Sequence, residues 1–322
     1  MFIQPNDSCI RYTGRWNVTD NYAASSAMGN YLEFAFTGDT AVLSFDITNN
    51  TDPNPHLFIS VNNGARVETV TDAFIRISAP YGDHTVKVIL KSAVETQNRW
   101  YHPVEAMVRL TGIEADAFLD LPADDRKIIE FVGDSITEGI AIDCSYGYRN
   151  DNRDMVYWDD STAGYAWLTA EALNMRPVTI GYGYLGTTHA GNGAIPKACE
   201  SYPYYSDGCP VKEFNADYIL INHGANDRGW GRELLEIEYT ALLTVIRKHN
   251  PNAQLICVSP YCGELGEDIE EIVNAFNAAH NDSVFFINPT GWVPPEPLHP
   301  TREGNRIICQ KLSSIIKEKF SL

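Results

Sequence analysis

After residue 126 the sequence alternates short apolar runs with longer segments of helical character. The apolar runs are bounded by Gly, Pro, Asn or Asp, which is typical of strands buried on both faces of a parallel sheet. They are KIIEFVGD (127–134), RPVTIGYG (176–183), DYILINHG (217–224), AQLICVSP (253–260) and SVFFINP (283–289). Helices are expected over about 161–174, with Ser161 as N-cap, and over about 231–249, 267–281 and 302–319. This alternation predicts a parallel sheet covered by helices, with ligands bound beyond the carboxyl ends of the strands.

The first 119 residues have a different pattern, in which short runs rich in β-branched and aromatic residues are separated by Gly, Asn, Asp and Pro. The runs are YLEFAFTG (31–38), AVLSFDIT (41–48), HLFISVNN (56–63), FIRISA (74–79), HTVKVILKSA (84–93) and VEAMVRLTGIEA (104–115). They predict an all-β sandwich of the jelly-roll type. The polar stretch DLPADDR, 120–126, is the expected linker. We therefore expect a β domain over 1–119 and an α/β domain over 127–322.

The composition and charge of the chain disfavour several kinds of binding partner. A formal net charge of −18 disfavours nucleic acid and anionic membranes as partners, and it is compatible with neutral ligands such as sugars. No apolar run approaches the roughly 18 residues that a membrane helix needs. Residues 1–20 show no signal peptide, so we expect a cytoplasmic protein if Met1 is the native start. The seven cysteines form no CxxC pair, and we expect no metal site and no cofactor.

Four residues with chemical potential lie at the predicted strand ends. Ser135, Gly183 and Asn226 follow the first three strands of the second half, and His299 lies between the fifth strand and the last helix. The carboxyl ends of parallel strands meet at one edge of the sheet, so the four residues can converge. Taken singly, each has a plain structural explanation: a helix cap, a turn, a helix start and a loop histidine.

Together these residues suit acyl transfer. Serine is a poor nucleophile until an imidazole takes its proton, which assigns Ser135 as the nucleophile and His299 as the base. The tetrahedral intermediate carries a negative oxygen that needs hydrogen-bond donors. The backbone N–H groups of Ser135 and Gly183, together with the side-chain amide of Asn226, are the expected oxyanion hole.

The motifs GDSITEG (133–139), GAND (224–227) and LHP (298–300), with a glycine after the second strand, resemble those of the SGNH (GDSL-type) hydrolases. The resemblance covers about 127–320. It implies a flavodoxin-like three-layer domain and the same roles for Ser135, Gly183, Asn226 and His299.

Two positions depart from the pattern of that superfamily. The acidic residue three positions before the histidine, usually Asp, is Glu296 here. Glu296 is therefore the expected third member of a triad, and the alternative is a Ser–His dyad whose histidine is oriented by a backbone carbonyl. The usual Asn of the glycine block is replaced by Gly181 or Tyr182. The oxyanion glycine can thus be Gly181, Gly183 or Gly186, and we prefer Gly183.

A β domain placed before an SGNH domain resembles carbohydrate esterase family 2. This second resemblance implies removal of acetyl groups from O-acetylated sugars or oligosaccharides through an acyl-enzyme. Two alternatives remain open at this point. One is a lipase-like or thioesterase-like SGNH hydrolase, and the other is a catalytically inactive carbohydrate-binding protein.

Several neighbouring residues are secondary candidates. Trp230 can stack on a sugar ring or pack under the long loop 184–215, and His189 in that loop can contact substrate. Asp134 is expected to organise the turn, and Glu138 to lie at a helix start. His223, inside a buried run, is expected to be a core histidine.

Overall fold

The computed structural model describes residues 1–144 and 155–322, and the strands before residue 120 form one antiparallel sheet. The strand order is β3-β4-β9-β5-β8-β6-β7, with β1 paired to β9 and β2 paired to β5. The strands are β1 Phe2–Ile3, β2 Ile10–Thr13, β3 Asn17–Val18, β4 Ala23–Ser25, β5 Tyr31–Phe45, β6 His56–Val61, β7 Val67–Val70, β8 Phe74–Ser92 and β9 Val108–Leu119.

Two of these strands are longer than the sequence predicts. β5 joins the segments 31–38 and 41–48, and β8 joins 74–79 and 84–93. The register between β5 and β8 shifts at Gly38, whose φ is 140°. Such an irregularity bends a strand without ending it, so the turn-like residues mark a bulge and not a connection. Apolar side chains of β5, β8 and β9, among them Phe34, Val88 and Leu110, form the core of this domain.

The second half contains the expected parallel sheet. Its strands are β10 Ile128–Gly133, β11 Arg176–Gly181, β14 Tyr218–Asn222, β15 Gln254–Val258 and β16 Phe285–Ile287. The spatial order is β11-β10-β14-β15-β16, which is the flavodoxin-like order 2-1-3-4-5. A separate hairpin is formed by β12 Tyr204–Ser206 and β13 Cys209–Pro210. The predicted fold class, a flavodoxin-like domain preceded by an all-β domain, is confirmed.

Helices cover both faces of the parallel sheet. They are α1 Ser135–Glu138, α2 Met155–Trp158, α3 Tyr165–Ala172, α4 Ala198–Ser201, α5 Arg232–His249, α6 Gly266–His280 and α7 Arg302–Phe320. The helix predicted over 161–174 is shorter than expected, because residues 161–163 form a 3₁₀ turn capped by Asp160. Ser161 caps no helix; its hydroxyl donates instead to the carbonyl of Leu90, 3.0 Å away. Within the described ranges, no helix combines the length and apolarity needed to cross a membrane.

The two halves of the chain share a buried interface. Trp100 packs into the core that contains β10 and β11 side chains. Arg15 of the β domain lies 3.2 Å from both carboxylate oxygens of Glu130 on β10. A second buried arginine, Arg99, pairs with Glu138 at the end of α1. The last strand of the antiparallel sheet ends at Leu119 and β10 begins at Ile128, which supports our proposed linker over 120–126.

Candidate active site

Ser135 is the first residue of helix α1, just after β10, an interior strand of the parallel sheet. Asp134 caps the helix, since its carboxylate accepts a hydrogen bond from the backbone N–H of Ile136 at 2.9 Å. A Cβ at Gly133 would lie 2.1 Å from the hydroxyl oxygen of Thr137, so only glycine permits this tight turn. The expectation that Asp134 organises the turn is confirmed, and the turn presents the Ser135 hydroxyl at the carboxyl edge of the sheet.

His299 lies beside Ser135 in the structure. The ring nitrogen Nε2 of His299 is 2.8 Å from Oγ of Ser135, although 164 positions separate the two residues. Asn305 on α7 holds the loop that carries His299. The side-chain amide of this buried asparagine donates to the carbonyl of Pro300 at 2.7 Å, and its Oδ1 accepts from the N–H of Tyr165 at 2.8 Å. The sequence does not predict this role for Asn305, because nothing in it distinguishes Asn305 from the other residues of the helix.

The protonation state of His299 suits a base. Burial lowers the pKa of its imidazole to about 4, because the charged form loses its hydration in the protein interior. The ring is therefore neutral at neutral pH, and Nε2 can accept the proton of the Ser135 hydroxyl.

Asn226 lies close to the nucleophile turn. Its side-chain amide donates to the carbonyl of Leu185 at 3.1 Å and to the carboxylate of Asp134 at 3.4 Å. Burial, and secondarily the nearby charge of Asp227, raise the pKa of Asp134 to about 7. Asn226 thus connects the turn that holds Ser135 with the loop after β11.

The three candidate glycines have different neighbours. Gly181 ends β11, where a Cβ would lie 2.4 Å from the backbone nitrogen of Glu138. Gly183 lies against a side chain of the β domain, since its Cβ would be 1.7 Å from a carboxylate oxygen of Glu95. Gly186 follows Leu185, whose carbonyl is bound by Asn226. The need for glycine at 183 therefore arises from the domain interface, whereas Gly186 adjoins the residue whose carbonyl accepts the hydrogen bond of Asn226.

Glu296 is not brought to the histidine by this structure. The side chain is exposed, and the charge that it influences is the guanidinium of Arg228. Within the described residues, no hydrogen bond joins Glu296 to His299. The physical reason is that a spacing of three residues fixes side-chain direction in a helix but not in the loop that precedes α7.

The two substrate-binding candidates lie together. The ring of His189 is stacked on Trp230, with centroids 5.2 Å apart and planes inclined by 27°, and it also contacts Tyr184 at 4.8 Å. Nε2 of His189 lies 3.0 Å from the backbone carbonyl oxygen of Asn226. Tyr184 and Trp230 are 54% and 49% exposed, so the cluster presents aromatic surface to solvent next to Asn226. Tyr184 is not among the residues predicted from the sequence, although its position directly after Gly183 was a usable signal.

Asp227 is a further residue that the sequence did not single out. Its carboxylate accepts hydrogen bonds from the N–H of Thr187 at 3.2 Å and from the N–H and hydroxyl of Thr188 at 2.8 and 2.7 Å. It holds the start of the long loop against the strand end that carries Asn226. His223 is buried as expected, and burial lowers its pKa to about 4.

Glu138 lies in the first turn of α1, as expected, and this turn is the whole of the four-residue helix. Its carboxylate is also paired with the buried guanidinium of Arg99. Among the described residues, no group of three or more His, Cys, Asp or Glu side chains is arranged to hold a metal ion.

Comparison with solved structures identifies the same two-domain fold elsewhere. A family two carbohydrate esterase from Cellvibrio japonicus superposes with a TM-score of 0.82 at 19% identity, over 99% of this chain and 97% of that chain. An acetyl xylan esterase from the rumen bacterium Butyrivibrio proteoclasticus gives 0.81 at 17%, over 100% and 98%. A family two carbohydrate esterase from Clostridium thermocellum, in complex with cellohexaose, gives 0.79 at 20%, over 97% and 99%. At these identities the likeness concerns the fold.

Sequence comparison supplies the family. No curated protein matches the chain. A family model described as the GDSL-like lipase/acylhydrolase family matches residues 131–307, which is more than half of the chain and includes Ser135, Asn226 and His299. The chain belongs to the GDSL-like lipase/acylhydrolase family.

Proposed function

We propose that the protein is a serine esterase that removes acetyl groups from O-acetylated sugars or oligosaccharides through an acyl-enzyme. The observation that carries this proposal is the 2.8 Å contact between Oγ of Ser135 and Nε2 of a neutral His299. A nucleophile and a base at hydrogen-bond distance are the two groups that ester hydrolysis requires first.

In the first half-reaction, Oγ of Ser135 attacks the carbonyl carbon of the acetyl ester while Nε2 of His299 takes the hydroxyl proton. The oxyanion that forms is held by the N–H of Ser135, a backbone N–H of the loop after β11 and the amide of Asn226. We assign the loop donor to Gly183 or Gly186. The N–H of Gly186 donates to the carbonyl of His189 at 3.3 Å, so it would exchange that contact for the oxyanion.

The intermediate collapses when His299 returns its proton to the sugar oxygen, which leaves as a hydroxyl group. The acetyl group now forms an ester with Ser135. In the second half-reaction, His299 takes a proton from water and the resulting nucleophile attacks the acetyl carbonyl. The intermediate collapses as His299 returns this proton to Oγ of Ser135, and acetic acid leaves and ionises to acetate. No external cofactor enters this sequence of steps.

A sugar as the alcohol part is supported by the aromatic cluster of Tyr184, His189 and Trp230 beside Asn226. Exposed aromatic faces bind the apolar face of a sugar ring by burying its C–H groups. The similar folds of proteins described as carbohydrate esterases, one of them with bound cellohexaose, add support. We propose that Trp230 and His189 bind the carbohydrate and that acetate is the released acid.

The test is acetate release from acetylated xylan, acetylated glucomannan and simple sugar acetates, with Ser135→Ala as the matched control. We expect release by the wild-type protein and none by the variant. A second assay compares p-nitrophenyl esters from acetate to octanoate. A steady rise of kcat/KM with chain length would contradict the deacetylase proposal and favour a lipase-like or thioesterase-like hydrolase, because each added methylene contributes about 0.8 kcal/mol only where it is buried.

A further inference from the structure

Helix α1, which carries the nucleophile, is too short to fix its own orientation. It has four residues, and an isolated helix of this length has no stability of its own. Its position therefore depends on side-chain contacts with its surroundings. One contact is the 2.7 Å hydrogen bond between the hydroxyls of Thr137 and Tyr165. Another is the ion pair of Glu138, whose side chain is 1% exposed.

The partner of Glu138 comes from the other domain. Arg99 lies in the segment 93–100 that follows β8, and its side chain is fully buried. Its guanidinium forms a bidentate ion pair with Glu138. Nη1 donates to Oε1, and Nη2 donates to Oε2 at 3.3 Å. Its backbone N–H donates to the carbonyl of Gly193 at 2.8 Å, and its guanidinium carbon lies 5.1 Å from the ring centre of Tyr182. Arg99 thus contacts α1, the segment after β11 and the long loop at once.

A second carboxylic acid of the same segment lies nearby. Glu95 is buried against Gly183, where a Cβ would lie 1.7 Å from one of its carboxylate oxygens. Burial, and next the charge of Glu138, raise the pKa of Glu95 to about 7. Below this pH the cluster holds one cation and one anion. Removal of Arg99 would leave the Glu138 carboxylate buried without a counter-charge, which proteins tolerate poorly.

We propose that Arg99 is a positioning residue of the active site: the β domain uses its ion pair with Glu138 to hold helix α1 so that Ser135 stays within hydrogen-bond reach of His299. The inference rests on the proposed function for its kinetic part. Ser135 and Glu138 are the two ends of one helical turn, so tilting one end moves the other. A displacement of about 1 Å at a reacting group costs roughly a hundredfold in rate.

The molecule contains a matched control for this pair. Arg15 and Glu130 also join the two domains through a buried ion pair, with side chains 8% and 7% exposed. Glu130, however, lies within β10, which is hydrogen-bonded to β11 on one side and β14 on the other. The backbone of Glu130 is thus held by two neighbouring strands, and loss of its ion pair should lower stability without tilting α1.

The experiment compares Arg99→Met with Arg15→Met in the full-length chain. Three quantities are measured for each: the thermal midpoint, kcat and KM on p-nitrophenyl acetate, and amide hydrogen exchange of the peptide containing 135–139. We expect both variants to lower the midpoint. Only Arg99→Met should lower kcat, by about a hundredfold with KM changed less than about threefold, and only Arg99→Met should accelerate exchange in 135–139.

Three further variants keep the test decisive. Arg99→Lys retains the positive charge but cannot form the bidentate pair with Glu138. This variant should keep about a tenth of the wild-type kcat, more than Arg99→Met keeps. If Arg99→Met does not fold, Glu138→Gln replaces it, with Glu130→Gln as its control. The amide keeps the shape of the Glu138 side chain but removes the ion pair, and Glu95 remains as the nearby acid that can supply a counter-charge to Arg99.

Equal kcat and equal exchange for the Arg99 and Arg15 variants, or for the two glutamine variants, would overturn the proposal. Hydrogen exchange needs no substrate, so it tests the position of α1 even if the wild-type protein releases no acetate. That last result would contradict the proposed function and leave the exchange measurement to decide the role of Arg99.

Discussion

His299 and His189 both follow strands of the parallel sheet, but their surroundings prepare them for different work. His299 is buried against Ser135, and its pKa is lowered to about 4. His189 is partly exposed, stacked on the ring of Trp230 and in tilted contact with the ring of Tyr184. Burial keeps the imidazole of His299 neutral beside a serine hydroxyl, and partial exposure leaves His189 in an aromatic cluster at the surface. The environment of each histidine distinguishes the two residues, and the sequence alone does not show that environment.

Removal of each imidazole should separate the two roles most strongly. His299→Ala should lower kcat on p-nitrophenyl acetate by about ten-thousandfold or more, because it removes the imidazole that lies at hydrogen-bond distance from the Ser135 hydroxyl. His189→Ala should lower it by less than about tenfold, since His189 contacts Asn226 only through a backbone carbonyl. Steady-state kinetics and circular dichroism of both variants check this, and a similar loss in the two would contradict the distinction.

The pH dependence of the wild-type enzyme tests the burial of His299. Protonation removes the base, and the lowered pKa means that the neutral form persists in acid. We expect kcat/KM to stay near its plateau down to about pH 5 and to fall about tenfold per pH unit well below pH 4. An acid limb at the ordinary histidine value of about 6.5 would show that the imidazole is not desolvated as the structure indicates.

Substitution of Trp230 tests the aromatic cluster. Trp230→Ala should raise KM for an acetylated oligosaccharide by about tenfold, the equivalent of about 1.4 kcal/mol, because a stacking face is lost. The KM for p-nitrophenyl acetate should change by less than about threefold, and Trp292→Phe, which alters an aromatic residue outside the cluster, serves as control. Equal effects on both substrates would argue against a sugar-binding role.

The smallest effect is expected at Glu296. Its exposed carboxylate lies apart from His299 in the structure, so Glu296→Gln should leave kcat within about threefold of wild type. A loss of about a hundredfold would instead support the triad role that the sequence suggests. The measurement is kcat on p-nitrophenyl acetate across pH, because loss of a triad carboxylate would also lower the apparent pKa of the base.

The sequence predicts the hydrolase domain better than the β domain. Each buried strand of the parallel sheet carries an uninterrupted apolar run with turn residues at its ends, and the observed strands β10, β11, β14, β15 and β16 lie within the predicted segments. In the β domain, the residues around Gly38 suggest the end of a strand, whereas the structure has a bulge within β5. A bulge and a turn use the same residue types, so the sequence does not distinguish them.

For the site, sequence order and strand ends are sufficient to predict that Ser135 and His299 meet. Contacts such as Arg99 with Glu138, or Glu95 with Gly183, are not predictable in this way. They join residues of separate domains, and no local pattern in either segment encodes the pairing. The direction of the Glu296 side chain is equally hidden, since it depends on how the loop before α7 packs.

The most direct test of the account is covalent labelling of the folded wild-type protein with a fluorophosphonate probe, followed by peptide mapping. Because the central claim is that His299 activates Ser135, we expect one label per chain, located on Ser135. The label should be absent from Ser135→Ala, strongly slowed in His299→Ala and retained in His189→Ala. A folded wild-type protein that takes up no label, or that is labelled at another residue, would contradict the account.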